Sequence, residues 1–285
     1  MAFKYKYETH VHTNASSKCG KSTPEEMVQY YKKLGFTGLF ITDHFYKGNT
    51  CIDKDLPWKK WVKEYCKAYK RAKKEGAKIG MQVFFGWETT YSGEDFLIVG
   101  LDEKWLLEHE EILECNQAEQ MELVHRYGGY VIQAHPFRER HYQSEVKLHP
   151  YHADAFEVCN ACNNYYEDML AYDYALAHHI PMTAGSDIHR AGTTKSHCIF
   201  GIETEKKIKS AKEYAELIIS GTGYRMNLPD GYLYGKREFN PAFPTFEFDK
   251  NHERHEIAEF YPDTPKAVNP REAKALADMQ KQKLG

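Results

Sequence analysis

The sequence predicts an α/β fold with a parallel sheet, most simply a closed or nearly closed barrel. Strand-like and helix-like segments alternate along most of the chain, and the strand-like segments are the short apolar runs typical of a buried parallel sheet. The chain has 285 residues, and a barrel of this kind needs about 250. We therefore expect one domain over residues 1–285, with the barrel core over about 1–220.

The expected elements follow one another as strand and then helix. The first strand, in FKYKYETH, alternates apolar and charged side chains. The first helix has Ser22 or Thr23 as its N-cap, Pro24 in its first turn and Gly35 at its end. Further strands are expected in GLFITDH, AKIGMQVFFGWE, EDFLIVGL, YVIQAHP, DAFEVCN, PMTAGSD and HCIFGI. Further helices are expected in PWKKWVKEYCKAYKRAKKEG, EKWLLEHEEILECNQAEQMELVHRYGG, YYEDMLAYDYALAHHI and SAKEYAELIISG.

The regular pattern breaks down from about Thr222 onward. Aromatic, proline and asparagine residues are mixed there, and the chain ends in NPREAKALADMQKQKLG. That last segment indicates either a short surface helix or a contact with a partner. We expect residues 221–285 to pack on or beside the barrel as a C-terminal extension.

Composition argues against several classes of function. The formal net charge is −3, so a broad basic surface for nucleic acid is not expected. The first residues lack the apolar core of a signal peptide and no run approaches the length of a membrane span, which predicts a cytoplasmic protein without membrane contact. The seven cysteines are then expected to be reduced thiols.

Two histidines stand one residue apart at the end of the first strand, in ETHVHTN. Alternate residues of a strand point to the same face, so His10 and His12 are expected to project side by side. Such a pair is able to chelate a metal ion, and it is equally compatible with a polar patch at a strand end. The rest of the chain has to decide between these interpretations.

Imidazole and carboxylate groups recur at the ends of four more strands. The carboxyl ends of parallel strands in a barrel meet at one face, where active sites form. The sequence therefore predicts that these side chains converge at one mouth of the barrel. They are Asp43 and His44 in ITDH, Glu88 in GWE, His135 in QAHP, and Asp187 with His189 in GSDIH.

The residue types indicate which metals fit. Nitrogen from histidine combined with carboxylate oxygen suits zinc, manganese or iron better than calcium or copper. The candidates outnumber the three protein ligands of a mononuclear catalytic zinc site, which predicts two or three divalent ions with Glu88 as a bridge. Clustered metals suit in-line displacement at phosphorus.

Five motifs, in this order and at these spacings, resemble those of the PHP superfamily, named for polymerase and histidinol phosphatase. They are ETHVHT, ITDH, GWE, AHP and GSDIH, and the resemblance spans about residues 1–220. It implies a distorted (β/α)7 TIM-like barrel, a trinuclear cluster of zinc, manganese or iron, and phosphoester hydrolysis by attack of a metal-bound hydroxide. Carried over by motif, the metal ligands would be His10, His12, His44, Glu88, His135, Asp187 and His189.

Two stretches differ from the family pattern. Where relatives usually carry Asp or His after the first motif, this chain has Ser17, Lys18 and Cys19, and Cys19 either acts as a thiolate ligand or packs in its loop. A family histidine near the strand DFLIVGL is also missing. Asp102 stands near that place, with Asp95 at the start of the strand, and Asp102 is the candidate oxygen ligand unless water or phosphate takes its place.

Two arginines follow ligand positions directly and are candidates for binding substrate phosphate. Arg138 in AHPFRER and Arg190 in SDIHR would supply the bidentate donors that phosphate favours, although a solvated loop position is the competing interpretation. For catalysis we expect Asp187 or His189 to activate water or protonate the leaving group, with Arg138 stabilising the charge that develops.

The function predicted from these residues is a metal-dependent phosphoesterase acting on a small phosphorylated molecule. Within the superfamily that it resembles, histidinol phosphate is the leading substrate, followed by nucleotides. Two alternatives stay open: a nuclease or 3′–5′ exonuclease-type phosphodiesterase, and a non-catalytic metal-binding regulatory domain. The absence of a basic bias counts against the first of them.

Overall fold

A computed structural model of the chain describes residues 2–192, 199–235 and 242–257. The segment NPREAKALADMQKQKLG, expected to be either a short surface helix or a partner contact, and the first two residues of HCIFGI lie outside the described residues. Within the described part, no helix combines the length and the apolar character that crossing a membrane requires.

The elements alternate between strands and helices as the sequence predicts. The strands are β1 Tyr5–Glu8, β2 Gly38–Ile41, β3 Gln82–Tyr91, β4 Glu94–Val99, β5 Tyr130–Gln133, β6 Val146–Leu148, β7 Ala155–Asn160, β8 Met182–Gly185, β9 Ile202–Thr204, β10 Tyr224–Met226, β11 Thr245–Phe248 and β12 Arg254–Glu256. The helices are α1 Pro24–Lys33, α2 Trp58–Tyr65, α3 Lys67–Ile79, α4 Glu103–Glu108, α5 Gln117–Arg126, α6 Tyr165–Ala177 and α7 Ala211–Ser220.

Nine of these strands form one curved sheet that closes almost completely into a barrel. Their order is β10-β9-β1-β2-β3-β4-β5-β7-β8. Just beyond the ends of β1 and β8, a parallel bridge joins Val11 to Ile188, with the amide of His12 donating to the Ile188 carbonyl at 3.0 Å. Because this bridge links strands from distant places in the order, it closes the barrel, and the predicted barrel class is confirmed.

The sheet is not entirely parallel, which corrects one expectation. Strand β4 runs antiparallel to both β3 and β5, and β9 runs antiparallel to β1 and β10. The direction of β4 follows from the short connection at Ser92 and Gly93, which both have positive φ, as a type I′ hairpin turn requires. Two residues are too few for the crossover between parallel strands, so β4 must return beside β3.

Two predicted long helices are each interrupted. The segment beginning at Pro57 divides at Cys66 into α2 and α3. The segment from Glu103 contains α4, a short 3₁₀ helix at Glu110–Leu113, and then α5, which starts afresh at an Asn116 capping box. The predicted start of α1 is confirmed with Thr23, rather than Ser22, as the N-cap.

Helix α7 closes the end of the barrel at which the strands begin. It contacts β3, β4 and β8, and its Tyr214 and Ile218 pack with Phe40 and Phe84 from inside the sheet. Apolar packing therefore fills this end, while the opposite end, where the parallel strands finish, carries polar side chains.

Residues after β10 return to the barrel in a second, smaller sheet. Strand β11 pairs in parallel with β6 and antiparallel with β12. Neither β6 nor this three-stranded sheet was expected from the sequence, because its strands are only three or four residues long and show little alternation.

Candidate metal centre

The seven side chains expected to bind metal lie together at the end of the barrel where the parallel strands finish. Together with Asp95 they form overlapping groups, and in each group the potential ligand atoms lie within 4.8 Å of one another. The groups are His10 with His12 and Glu88; His10 with His135 and Asp187; His12 with His44 and His189; and Glu88 with Asp95 and His135. Their convergence follows from β1, β2, β3, β5 and β8 all ending at this mouth.

The paired histidines after β1 are held so that their Nε2 atoms face each other. These atoms are 3.0 Å apart. The Nδ1 atom of His10 lies 3.1 and 3.2 Å from the two carboxylate oxygens of Glu157, and that of His12 lies 3.2 Å from the hydroxyl of Ser17. Such partners on the rear nitrogen orient a histidine and leave Nε2 available for a metal.

Glu88 lies at the middle of the centre, with its side chain only 1% exposed. Its Oε1 is 3.2 Å from His10 Nε2 and 3.4 Å from His135 Nε2. Its Oε2 is 3.4 Å from His12 Nε2 and 2.6 Å from His44 Nδ1. One carboxylate therefore faces four imidazoles.

Two of these facing atoms lack a hydrogen-bond partner. The Oε2 of Glu88 and the Nδ1 of His44 are buried and near each other, but neither makes a hydrogen bond of acceptable geometry. Unpaired polar atoms in the interior are costly, and they need an explanation such as an ion. A donor set of imidazole nitrogen and carboxylate oxygen fits divalent zinc, manganese or iron.

The acidity of the histidines differs along the cluster. Burial opposes the charging of His10 and His44, but the carboxylates of Glu157 and Glu88 outweigh it and hold both pKa values well above the ordinary range. Burial and the neighbouring His44 lower the pKa of His12 to about 3. In the metal-free centre, His10 and His44 therefore stay protonated and face the carboxylates.

Metal binding near neutral pH is expected to release protons. Because raised pKa values leave His10 and His44 protonated in the metal-free protein, a metal must displace those protons, and its affinity should rise with pH. Calorimetric titration with zinc in two buffers of different ionisation enthalpy measures the number released. Glu157→Gln should reduce that number and weaken metal binding by about 10–100-fold. Equal heats in both buffers would contradict this expectation.

Asp187 is held from behind by Arg138. Its Oδ1 lies 3.1 Å from His12 Nε2, while its Oδ2 accepts a hydrogen bond of 2.7 Å from the Arg138 guanidinium. The same guanidinium donates to Asn160 at 2.9 Å and to Asn163 at 2.7 Å, and Arg138 is 9% exposed. These contacts give Arg138 a positioning role behind Asp187 in place of the open, phosphate-facing position expected from the sequence.

Two residues of the centre have unusual backbone conformations. His135 has φ of 33° and Asp187 has φ of 51°, both in the region that favours glycine. Such conformations cost about 1–3 kcal/mol each and persist where the surrounding structure holds them. The tight packing of the centre therefore takes precedence over local backbone preference at both strand ends.

Asp102 does not belong to the centre, so the expectation that it supplies an oxygen ligand is wrong. It caps helix α4, accepting a 2.9 Å hydrogen bond from the Trp105 amide. Because β4 is antiparallel, its first residues lie at the mouth and its last residues at the far end. Asp95 is therefore the residue at the centre, grouped with Glu88 and His135. Burial and the charge of Glu88 raise the pKa of Asp95 to about 6.

The two aspartates should respond differently to substitution. Asp95→Asn is expected to weaken metal binding, while Asp102→Ala should leave it unchanged and lower the free energy of unfolding by about 1 kcal/mol through loss of the helix cap. Metal titration and urea unfolding of both variants check this. A loss of metal affinity in Asp102→Ala alone would contradict the placement.

The loop after His12 explains part of the difference from the family pattern. Ser17 donates to Asp43 Oδ1 at 2.6 Å and accepts from the His44 amide at 3.0 Å, so it fixes the loop and His12 together. Lys18 is exposed. Burial opposes ionisation of the Cys19 thiol, but the imidazoles of His189 and His44 outweigh it and lower the pKa of Cys19 to about 6. Arg190 is exposed at the rim, and its contact with phosphate stays a prediction.

Two buried carboxylates near the centre escaped the sequence reasoning. Glu157 lies behind His10 in the middle of β7, and the signal for it was a charged residue inside an otherwise apolar strand. Glu8 accepts hydrogen bonds from the amides of His10 and Ser186 at 3.1 and 2.8 Å, and from the Tyr31 hydroxyl at 2.8 Å. Glu8 therefore ties together the ends of β1 and β8, which carry four of the candidate ligands.

Solved structures with a similar fold were found. A two-domain protein from Bacteroides vulgatus, described as containing a predicted PHP-like metal-dependent phosphoesterase, matches with a TM-score of 0.59 and 16% identity. The match covers 79% of this chain and 64% of that protein, so this chain spans less than two thirds of its length. A putative metal-dependent phosphoesterase from Bifidobacterium adolescentis matches with a TM-score of 0.48, 15% identity and coverage of 74% and 95%.

The sequence comparison defines the family. No curated protein matches the chain significantly. The family model described as the PHP domain matches residues 8–226, a range that contains every candidate ligand and all nine strands of the barrel sheet except the first residues of β1. Since this match covers most of the chain, the protein belongs to the PHP domain family.

Proposed function

We propose that this protein is a metal-dependent phosphoesterase that hydrolyses a small-molecule phosphomonoester. The observation that carries the proposal is the buried carboxylate of Glu88 surrounded by four imidazoles at the barrel mouth. Membership of the PHP domain family supports it. A similar fold in a protein described as containing a predicted metal-dependent phosphoesterase is consistent with it.

The side-chain groups would hold two or three divalent ions, with Glu88 shared between them. Zinc, manganese and iron all suit these nitrogen and oxygen donors. When bound, such ions lower the pKa of water and neutralise charge on phosphoryl oxygens. The site residues would be His10, His12, His44, Glu88, Asp95, His135, Asp187 and His189.

Asp187 is the candidate proton acceptor among these residues. Arg138 holds Oδ2 of Asp187, while Oδ1 faces the paired histidines. The position of Oδ1 beside His10 and His12 is therefore fixed. A base must lie within hydrogen-bond reach of the proton that it removes, and Asp187 Oδ1 would meet that requirement for a water bound among the imidazoles. His189, with a side chain 30% exposed, lies at the outer edge, where a leaving group would depart and receive a proton.

The proposed substrate is small and phosphorylated, with histidinol phosphate and nucleotides as the leading candidates. The negative net charge disfavours a long nucleic-acid backbone. Arg190 follows His189 directly and is exposed, so it is the candidate contact for a substrate phosphate at the rim.

The test is phosphate release by protein loaded separately with zinc, manganese or iron. The panel includes histidinol phosphate, nucleoside monophosphates, sugar phosphates, a phosphodiester and single-stranded DNA. We expect release from at least one monoester, abolished by a chelator and restored by the metal. Cleavage of only the diester or DNA would favour a nuclease. Metal binding without any hydrolysis would favour a regulatory metal-binding domain.

A further inference from the structure

The guanidinium of Arg138 is itself held by a hydrogen-bond network that extends away from the metal centre. Its Nε donates to Asn163 Oδ1 at 2.7 Å, and the Nδ2 of Asn163 donates in turn to Asp168 Oδ1 at 2.8 Å. Its Nη2 donates to Asn160, whose backbone amide lies 3.1 and 3.2 Å from the two carboxyl oxygens of Asp168. Both asparagines that hold Arg138 are therefore attached to the same carboxyl group.

Asp168 lies in the first turn of α6 and is completely buried. It belongs to none of the candidate metal groups formed by the described residues. Capping of α6 does not account for it, because Glu167 accepts the 2.8 Å hydrogen bond from the Asn164 amide there. A buried carboxyl group needs hydrogen bonds that compensate for its lost hydration. Asp168 receives two of these from the asparagines that contact Arg138.

The third donor to Asp168 comes from the chain after β10. Tyr232, in a short 3₁₀ helix, donates its hydroxyl hydrogen to Asp168 Oδ2 at 2.8 Å. Its ring packs edge-on against those of Phe200 and Tyr165, with centroids 5.0 and 5.2 Å apart. Its carbonyl accepts a 3.0 Å hydrogen bond from the Tyr165 hydroxyl. The ring of Tyr232 is therefore held in place, and its hydroxyl in turn holds Asp168.

We propose that Asp168 and Tyr232 are positioning residues for the candidate metal ligand Asp187. They act through the asparagines that hold Arg138, whose Nη1 donates to Asp187 Oδ2 at 2.7 Å. This inference rests on the proposed function in one respect, since it assumes that the centre binds metal. A ligand oriented before the ion arrives loses less conformational freedom on binding, and outer partners of this kind contribute about 10–100-fold to metal affinity.

Tyr232 follows the residues that the PHP domain model matches, which are 8–226. The C-terminal extension then contributes to the centre without any of its side chains binding the metal. Such a contribution gives the return of the chain to the barrel a role beyond packing.

The experiment measures zinc affinity by competition with a chromogenic chelator, together with urea unfolding of each variant. Asp168→Ala should weaken the affinity by about tenfold, the lower end of the range, because two side chains lie between it and Asp187. Tyr232→Phe should weaken it by roughly threefold, since one hydrogen bond is lost while the ring packing stays. Asp168→Asn should recover most of the affinity lost in Asp168→Ala, because its amide oxygen accepts from Asn163 and its nitrogen donates to the tyrosine hydroxyl.

Tyr224→Phe is the matched control. The Tyr224 hydroxyl donates to the Met182 carbonyl at 2.7 Å, at the end of β8 opposite to Asp187. This variant loses a comparable hydrogen bond, so it should lower the free energy of unfolding and leave zinc affinity unchanged. In an Arg138→Met background, Tyr232→Phe should change the affinity no further, because the connection is already broken.

The outcomes separate this inference from the proposed function. Unchanged zinc affinity in Tyr232→Phe, or an equal loss in Tyr224→Phe, would overturn the inference and leave the metal-dependent activity standing, even if Asp168→Ala did not fold. An equal effect of Tyr232→Phe with and without Arg138 would overturn the route through that guanidinium. The expected affinities without phosphate release from any substrate would overturn only the proposed function. A protein that binds no zinc would overturn both.

Discussion

Glu88→Gln is expected to lower phosphoester hydrolysis by roughly a thousandfold and to reduce the number of bound metal ions. Glu88 faces His10, His12, His44 and His135 at 2.6 to 3.4 Å, so one substitution removes the negative charge that the whole cluster shares. Bound metal is worth several kcal/mol of transition-state stabilisation, and each tenfold change in rate corresponds to about 1.36 kcal/mol.

The measurement combines elemental analysis of the purified variant with kcat/KM on the best substrate of the panel. Glu94→Gln is the matched control, because Glu94 is also a buried carboxylate beside a histidine, His149, at 2.6 Å, but belongs to none of the candidate metal groups. That control should retain both metal and activity. Full metal content and activity in Glu88→Gln would show that Glu88 is not a ligand shared between the metal ions.

Arg138→Met is expected to lower the free energy of unfolding of the metal-free protein by about 3 kcal/mol. Removing one member of a buried ion pair leaves an uncompensated charge and typically costs about 3–5 kcal/mol. The lower end applies because His10, whose raised pKa keeps it protonated, lies 3.6 Å from Asp187 and still offsets part of its charge. Added zinc should restore part of the loss by binding the same carboxylate.

Urea unfolding in chelator and in zinc measures both effects. The matched control is Arg71→Met, which breaks the exposed pair with Glu25, in which the side chains are 45% and 33% exposed. An exposed pair contributes about 0–1 kcal/mol. If Arg138→Met cost no more than this control, the imidazoles alone would suffice to hold Asp187.

The fold could be predicted where a sequence pattern extends over a whole strand or helix. It could not be predicted where a short loop sets the direction of a strand or divides a helix. Alternating elements of ordinary length, and helix ends marked by residues such as Thr23, were sufficient for the barrel class. The direction of β4 was not foreseen because Ser92 and Gly93 make a two-residue turn inside what looked like a run of parallel strands. The interruption of α2 and α3 at Cys66 leaves almost no trace in local composition.

Likewise, only part of the candidate site could be predicted from the sequence. Spacing along strands placed His10 beside His12, since a period of two is a property of the backbone itself. Choosing between Asp95 and Asp102 required the direction of β4, which reverses the ends of that strand. The role of Arg138 depended on Asn160 and Asn163, which hold the guanidinium behind Asp187.

The sequence by itself therefore determined the class of fold and the mouth at which polar side chains gather, and its resemblance to the PHP superfamily implied the seven candidate ligands there. The fold class and the mouth follow from local periodicity and from the common direction of the ligand-bearing strands. Only the tertiary structure decided that Glu157 supports His10 and that Asp95 replaces Asp102. The physical reason is that these contacts join residues far apart in the chain, and their positions depend on packing and strand direction rather than on neighbours in sequence.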